Sequence, residues 1–144
     1  MFFKIDGNPY VKKSNQRVIN RGGRSVKIDT PRYREWRHSA LWQLKAQEKP
    51  SEPIDFPINL ECHFYKSNKG RVDLSALYEG IQDVLVEVGV LADDNYLIVA
   101  GHDGSRVHVD RDNPRMEITI TQAGKLAPPR PLKQTKPKKE EEPF

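Results

Sequence analysis

Arg71-Val72-Asp73-Leu74-Ser75-Ala76-Leu77-Tyr78-Glu79-Gly80-Ile81-Gln82-Asp83-Val84-Leu85 decides how this chain is read, together with Leu91-Ala92-Asp93-Asp94-Asn95 just after Gly89. Leu74, Leu77, Ile81, Val84, Leu85 and Val88 recur at helical spacing, which predicts a helix from about Leu74 to Val88. Asp73 stands at its mouth. Ser75, Glu79, Asp83 and Glu87 step by four along its polar side, and Asp93 and Asp94 follow its end. Like charges at this spacing repel one another. A hard divalent cation would relieve that repulsion and take those oxygens as ligands.

Upstream, Phe2–Asp6 reads as a short strand broken by Gly7-Asn8-Pro9. Arg17–Asn20 and Ser25–Ile28 flank Asn20-Arg21-Gly22-Gly23-Arg24, the pattern of a hairpin. Thr30-Pro31 supplies an N-cap and a proline for a second helix, which carries Tyr33, Trp36, Ala40, Leu41 and Leu44 on one side and ends near Lys49-Pro50. Phe56–Tyr65 reads as a strand with Ile58, Leu60, Cys62 and Phe64 inward. Strands are also expected at Tyr96–Ala100, at Arg106–Val109 and through Met116, Ile118 and Ile120. Four to six strands and two main helices define an α/β or α+β fold, a mixed sheet packed by helices. The pattern predicts one domain over 1–123 and a disordered Pro/Lys/Glu-rich tail over 124–144.

The charge is divided along the chain. Residues 1–49 hold twelve Lys or Arg against four acidic residues, residues 50–123 hold six against thirteen, and residues 124–144 hold six against three. A basic first third points to a polyanion partner. An acidic middle would repel that partner unless metal ions neutralise it, the combination expected of a metal-dependent nuclease. Basic and acidic faces that pair with each other are the plainer alternative. Cys62 is the single cysteine, so neither an intramolecular disulfide nor a cysteine-built zinc site is expected, and a reducing compartment fits. No apolar run approaches the ~20 residues that span a membrane. The N-terminus lacks the pattern of a secretory signal.

Phosphodiester hydrolysis needs an activated water and a way to neutralise phosphate charge, and Mg²⁺ held by carboxylates, or Mn²⁺ in its place, supplies both. Asp73 and Asp94 each end an element and are the first candidate ligands. Glu79 is the next, and Asp83 and Asp93 are supporting candidates. Each has a second reading: Asp73 as a helix cap, Asp93-Asp94-Asn95 as a turn, Glu79 and Asp83 as a solvated helix face. His38, His63, His102 and His108 are scattered without paired spacing, and neither a phosphate-binding loop nor a nucleophile elbow is present.

Val72-Asp73-Leu74, Leu77, Asp83-x-Leu85, Gly89 and Leu91-x-Asp93-Asp94 together resemble the core motif of RusA-type Holliday junction resolvases. Gly7-Asn8-Pro9 through Lys12, Lys13, Asn15, Gln16 and Arg17 resembles that family's entry strand and polar loop, and Asn113–Ile118 its closing strand. The resemblance covers about residues 2 to 121. It implies a RusA-like fold and Mg²⁺-dependent homodimers, typically phage- or prophage-borne. These cut four-way DNA junctions on two strands in recombination and repair, in a bacterial host's cytoplasm. Two positions depart from the pattern: Ser75 stands where the family has its second aspartate, and Glu79 where it has a lysine. Either Glu79, one turn after Ser75, returns the missing carboxylate, or the site is silent or retuned. Lys12, Lys13, Asn15, Arg17, Lys69 and Arg71 are the candidate DNA contacts, the last two beside Asp73. A catalytically silent protein that binds branched or single-stranded DNA on the same fold is the alternative.

Overall fold

The computed structural model describes residues 1–11 and 16–124; the side chains of Gln16, Arg17, Lys27 and Asp29 are outside that description. Its elements are β1 (Phe2–Asp6), β2 (Gln16–Arg21), β3 (Arg24–Asp29), α1 (Pro31–Lys45), β4 (Ile58–Lys66), α2 (Leu74–Glu87), β5 (Val99–Gly101), β6 (Arg106–Val109) and β7 (Arg115–Gln122). The expected mixed α+β architecture with two helices is borne out. The tail beyond 124 lies outside the described residues.

Alternation builds the main sheet. Along β4, Ile58, Leu60, Cys62 and Phe64 are fully buried while their neighbours are half-exposed, the period-two signature of a strand with one covered face. β7 pairs antiparallel with β4 and with β1, whereas β5 and β6 both run parallel to β4 on its other side. β2 and β3 form a separate two-stranded ribbon turned by Gly22 and Gly23, at φ 56° and 77°. Two successive positive φ values are what the type I′ two-residue hairpin loop demands.

Both helices help cover the apolar face. Thr30 caps α1, its side chain accepting the Tyr33 N–H at 3.4 Å. Tyr33, Trp36, Ala40 and Leu44 point into the core and Leu41 packs at its border. The helix stops at Lys45, short of the expected Lys49, and the Lys49 ammonium turns back onto the carbonyls of Leu44, Lys45 and Gln47. α2 buries Leu77, Gly80, Ile81, Val84 and Leu85, the periodic set read from the sequence. The Phe64 and Tyr78 rings meet at 5.9 Å between α2 and β4, and the Arg37–Glu87 ion pair ties α1 to the last turn of α2.

One expected strand is much shorter. Tyr96 and Leu97 are 71% and 52% exposed, and only Val99–Gly101 pairs with β4. The reason is local: the Asn95 carbonyl accepts the N–H groups of Ile98 and Val99, and the Asn95 side chain accepts that of Leu97, so a turn takes the backbone before a strand can form.

Candidate functional site

The mouth of α2 is assembled from three distant segments. The Asn8 side chain accepts the Ser67 N–H at 2.9 Å, and the Gly7 N–H donates to the Pro114 carbonyl at 3.0 Å. Asn68 accepts the Gly70 N–H, and the Lys66 ammonium holds the Gly70 carbonyl. The Gly7-Asn8-Pro9 break, the loop after β4 and the approach to β7 thus meet at one end of the sheet. Asp73 emerges there, with Lys69 and Arg71 exposed on the same loop.

Asp73 occupies the N-cap position, with φ −80° and ψ 130°, yet its side chain makes no capping hydrogen bond. Its backbone carbonyl accepts the Ala76 and Leu77 N–H groups while its carboxylate stays out of the helix bonding. Cap geometry without a capping bond leaves a carboxylate in the favourable field of a helix N-terminus. Ser75 and Glu79 follow one turn apart, both exposed.

The other end of α2 aims the second acidic segment. Gly89, at φ 85°, donates to the Val86 carbonyl, and Val90 donates back to Leu85. These bonds form a Schellman close, sealed by the buried Leu85 and Val90. Leu91 then bridges to Ile54, and Asp93-Asp94-Asn95 comes out at the surface. The two aspartates differ in kind. Asp93 accepts the Asp94 N–H at 2.7 Å and the Asn95 amide at 3.1 Å, bonds that hold its carboxyl below the usual range. Asp94 is pushed above it, by partial burial first, then by its contact with Asp93 and the charges of Asp93 and Asp83.

Among the described residues no three His, Cys, Asp or Glu side chains are gathered in an arrangement that could hold a metal ion. Asp73, Glu79 and Asp94 therefore do not form such a group within the described residues of one chain. Asp94 feels Asp93 and Asp83, and Asp83 lies ten residues along from Asp73, about 15 Å of helical rise. Lys12, Lys13 and Asn15 lie outside the described residues, as does the side chain of Arg17.

A second polar cluster went unread in the sequence. On the helix-free face of the sheet, His63 Nδ1 lies 2.8 Å from His108 Nε2, and His63 Nε2 lies 2.9 Å from Glu61. His108 stacks on Tyr65, and the Arg115 guanidinium covers Tyr65 at 3.8 Å from the ring centre while pairing with Asp110 and Glu117. Parallel pairing of β4 with β6 puts Tyr65 beside His108. On the other side of β4, His102 stacks on Tyr78 at 3.7 Å. Its Nδ1 faces the Leu60 carbonyl, and burial pulls its pKa down.

Residues 6–121 match the family model described as Endodeoxyribonuclease RusA, so the chain belongs to the RusA endodeoxyribonuclease family. That makes it a nuclease, a hydrolase acting on DNA. A curated relative, the crossover junction endodeoxyribonuclease RusA of Aquifex aeolicus (strain VF5), is 28% identical over 108 residues, spanning 75% of this chain and 82% of the relative. The family match runs from Asp6, the last residue of β1, to Thr121 in β7, and takes in both helices with the Asp73 and Asp93-Asp94 motifs.

Proposed function

We propose that this chain is a structure-selective endonuclease that resolves four-way DNA junctions in recombination and repair, using Mg²⁺ or Mn²⁺. Phage or prophage origin and action as a homodimer in a bacterial host's cytoplasm belong to the same reading. The observation that carries it is Asp73: a carboxylate at a helix mouth, released from capping, beside exposed Lys69 and Arg71.

The donor set fits a hard cation in kind. Asp73, Glu79 and Asp94 are oxygen donors, and the Asp94 carboxyl, raised first by partial burial and then by the neighbouring Asp93 and Asp83, is one that a dication would favour in its charged form. When bound, the ion supplies charge neutralisation at the phosphate and an activated water. The chain's own part is positional. Asp93 fixes the turn that presents Asp94, while Asn8 and Lys66 fix the loop that presents Asp73. Lys69 and Arg71, exposed on the loop before Asp73, would hold a phosphate beside it, and Lys12, Lys13, Asn15 and Arg17 are the further DNA contacts of this reading.

The test is cleavage of a synthetic four-way junction with Mg²⁺ or with a chelator. Wild type is expected to nick in Mg²⁺ and only to bind when the ion is removed. Asp73→Asn keeps the shape and loses the charge, so binding should persist and cutting should fall by orders of magnitude. Cutting at the wild-type rate would remove Asp73 from the site. Ser75, where the resembled pattern has an aspartate, favours a second reading, a silent junction-binding protein, which wild-type binding without nicking would select.

A further inference from the structure

The β2–β3 ribbon forms a sheet of its own, apart from the main one. Val18, Asn20, Arg21, Arg24, Ser25 and Val26 are all exposed, so solvent reaches both of its faces. A two-stranded hairpin with bare faces is marginally stable in water. Alternation sorts its side chains. Ile19 pairs with Val26 and Arg21 with Arg24 on one face, and Asn20 pairs with Ser25 on the other, where the Ser25 hydroxyl donates to the Asn20 side chain at 3.4 Å.

Arg21 and Arg24 are the unusual pair. They stand opposite each other across the turn, and like charges directly opposed destabilise a hairpin. Neither has an ion pair or a side-chain hydrogen bond among the described residues. Gly22 and Gly23 between them carry no side chain, and nothing lies within 4 Å of where a Cβ would be. The tip is therefore narrow, unobstructed and doubly cationic. An anionic partner would turn the repulsion into attraction, and the major groove of DNA is an anionic channel wide enough to admit a two-stranded ribbon.

The root of the ribbon lies beside the candidate site. β3 leads through Thr30 into α1, where the Arg32 guanidinium covers the Tyr10 ring at 4.9 Å and donates to its hydroxyl at 3.0 Å. The Tyr10 carbonyl in turn lies 3.6 Å from the Cβ position of Gly80, in the first half of the helix that Asp73 opens. Five strand steps from Gln16 to Arg21 span about 17 Å, which is about five base pairs of duplex rise.

We propose that the ribbon tip enters the major groove of a DNA arm, and that Arg21 and Arg24 meet base edges there, the O6 and N7 of guanine above all. The ribbon then determines which sequences the protein holds. This deepens the nuclease reading and rests on it for the choice of DNA; the readout is binding, so junction cleavage is judged separately.

The experiment selects the full chain, in chelator, against four-way junctions and linear duplexes with randomised arms, and sequences the bound fraction. Wild type should enrich guanine at one or two neighbouring positions. Arg21→Ala and Arg24→Ala should each reduce that enrichment by roughly tenfold. Arg24→Glu exchanges the cross-strand repulsion for an ion pair, so its melting midpoint should stay or rise while the guanine enrichment is lost; a merely structural arginine would not separate the two. If Arg24→Glu melts earlier than wild type, the alanine variants decide. Wild-type binding with no base preference would overturn the proposal. So would variants that weaken all sequences alike and flatten the salt slope by about one unit each, the behaviour of phosphate contacts. The expected preference in a protein that cuts no junction would instead overturn the function reading and leave the ribbon's role standing.

Discussion

Gly80 of α2 lies directly against the Trp36 ring of α1: a Cβ at Gly80 would come within 3.3 Å of the indole. The two helices approach closely because that side chain is missing. Trp36 is itself buried and has little room to yield.

Gly80→Val should therefore destabilise the fold by ~1–3 kcal/mol through overpacking. Denaturant unfolding followed by tryptophan fluorescence measures it. An unchanged midpoint would show that the indole moves aside freely.

The two neighbouring aspartates pull stability in opposite directions with pH. Asp94, raised, holds its proton more tightly folded than unfolded, so its contribution is present in acid and lost as the pH rises through its folded pKa. Asp93, lowered, contributes above the ordinary aspartate range and loses that contribution as the pH falls. Asp94→Asn should leave stability at neutral pH unchanged or slightly higher, within about 0.5 kcal/mol. Any gain should fade below pH ~4. Melting curves at both pH values, with and without Mg²⁺, read this out. Mg²⁺ should raise the wild-type midpoint more than that of Asp94→Asn; equal rises would remove Asp94 from the metal set.

Ser75 and Glu79 test the exchanged carboxylate. Glu79→Gln should reduce junction cleavage by orders of magnitude, and adding Ser75→Asp to it should restore part of the activity. Glu79→Lys alone should remain inactive. Full activity in Glu79→Gln would make Glu79 an ordinary solvated residue.

Phosphate contacts are read from salt dependence. Lys12→Ala/Lys13→Ala and, separately, Lys69→Ala/Arg71→Ala should each flatten the log–log salt slope of junction binding by up to ~2 units. An unchanged slope for either pair would route the DNA elsewhere.

Much of the fold was legible because it rests on local periods. The α2 face and the inward set of β4 are repeats of 3.6 and 2 residues, and each matched. Tyr96-Leu97-Ile98 looked like strand because the run is apolar, yet Asn95 takes its backbone first, a preference that periodicity does not register. His63 and His108 meet through parallel pairing across 45 residues, which leaves no local mark. The difference between Asp93 and Asp94 was equally hidden, since it follows from which of two adjacent carboxylates receives the turn's N–H groups. At Asp73, by contrast, the sequence left capping and ligation both open, and the missing capping bond weighs against the first.

Gln43 and Gln47 of α1 have a consequence for the main sheet. They occupy the hydrogen-bonding groups of β1 as an incoming strand would, so that flank is closed to sheet extension. A sheet that can add a strand at one flank only stops growing after a single addition, whereas two receptive flanks would permit an unlimited fibre. Replacing both glutamines by leucine would keep the helix and free the Lys4 and Asp6 peptide groups, opening this flank to an added strand.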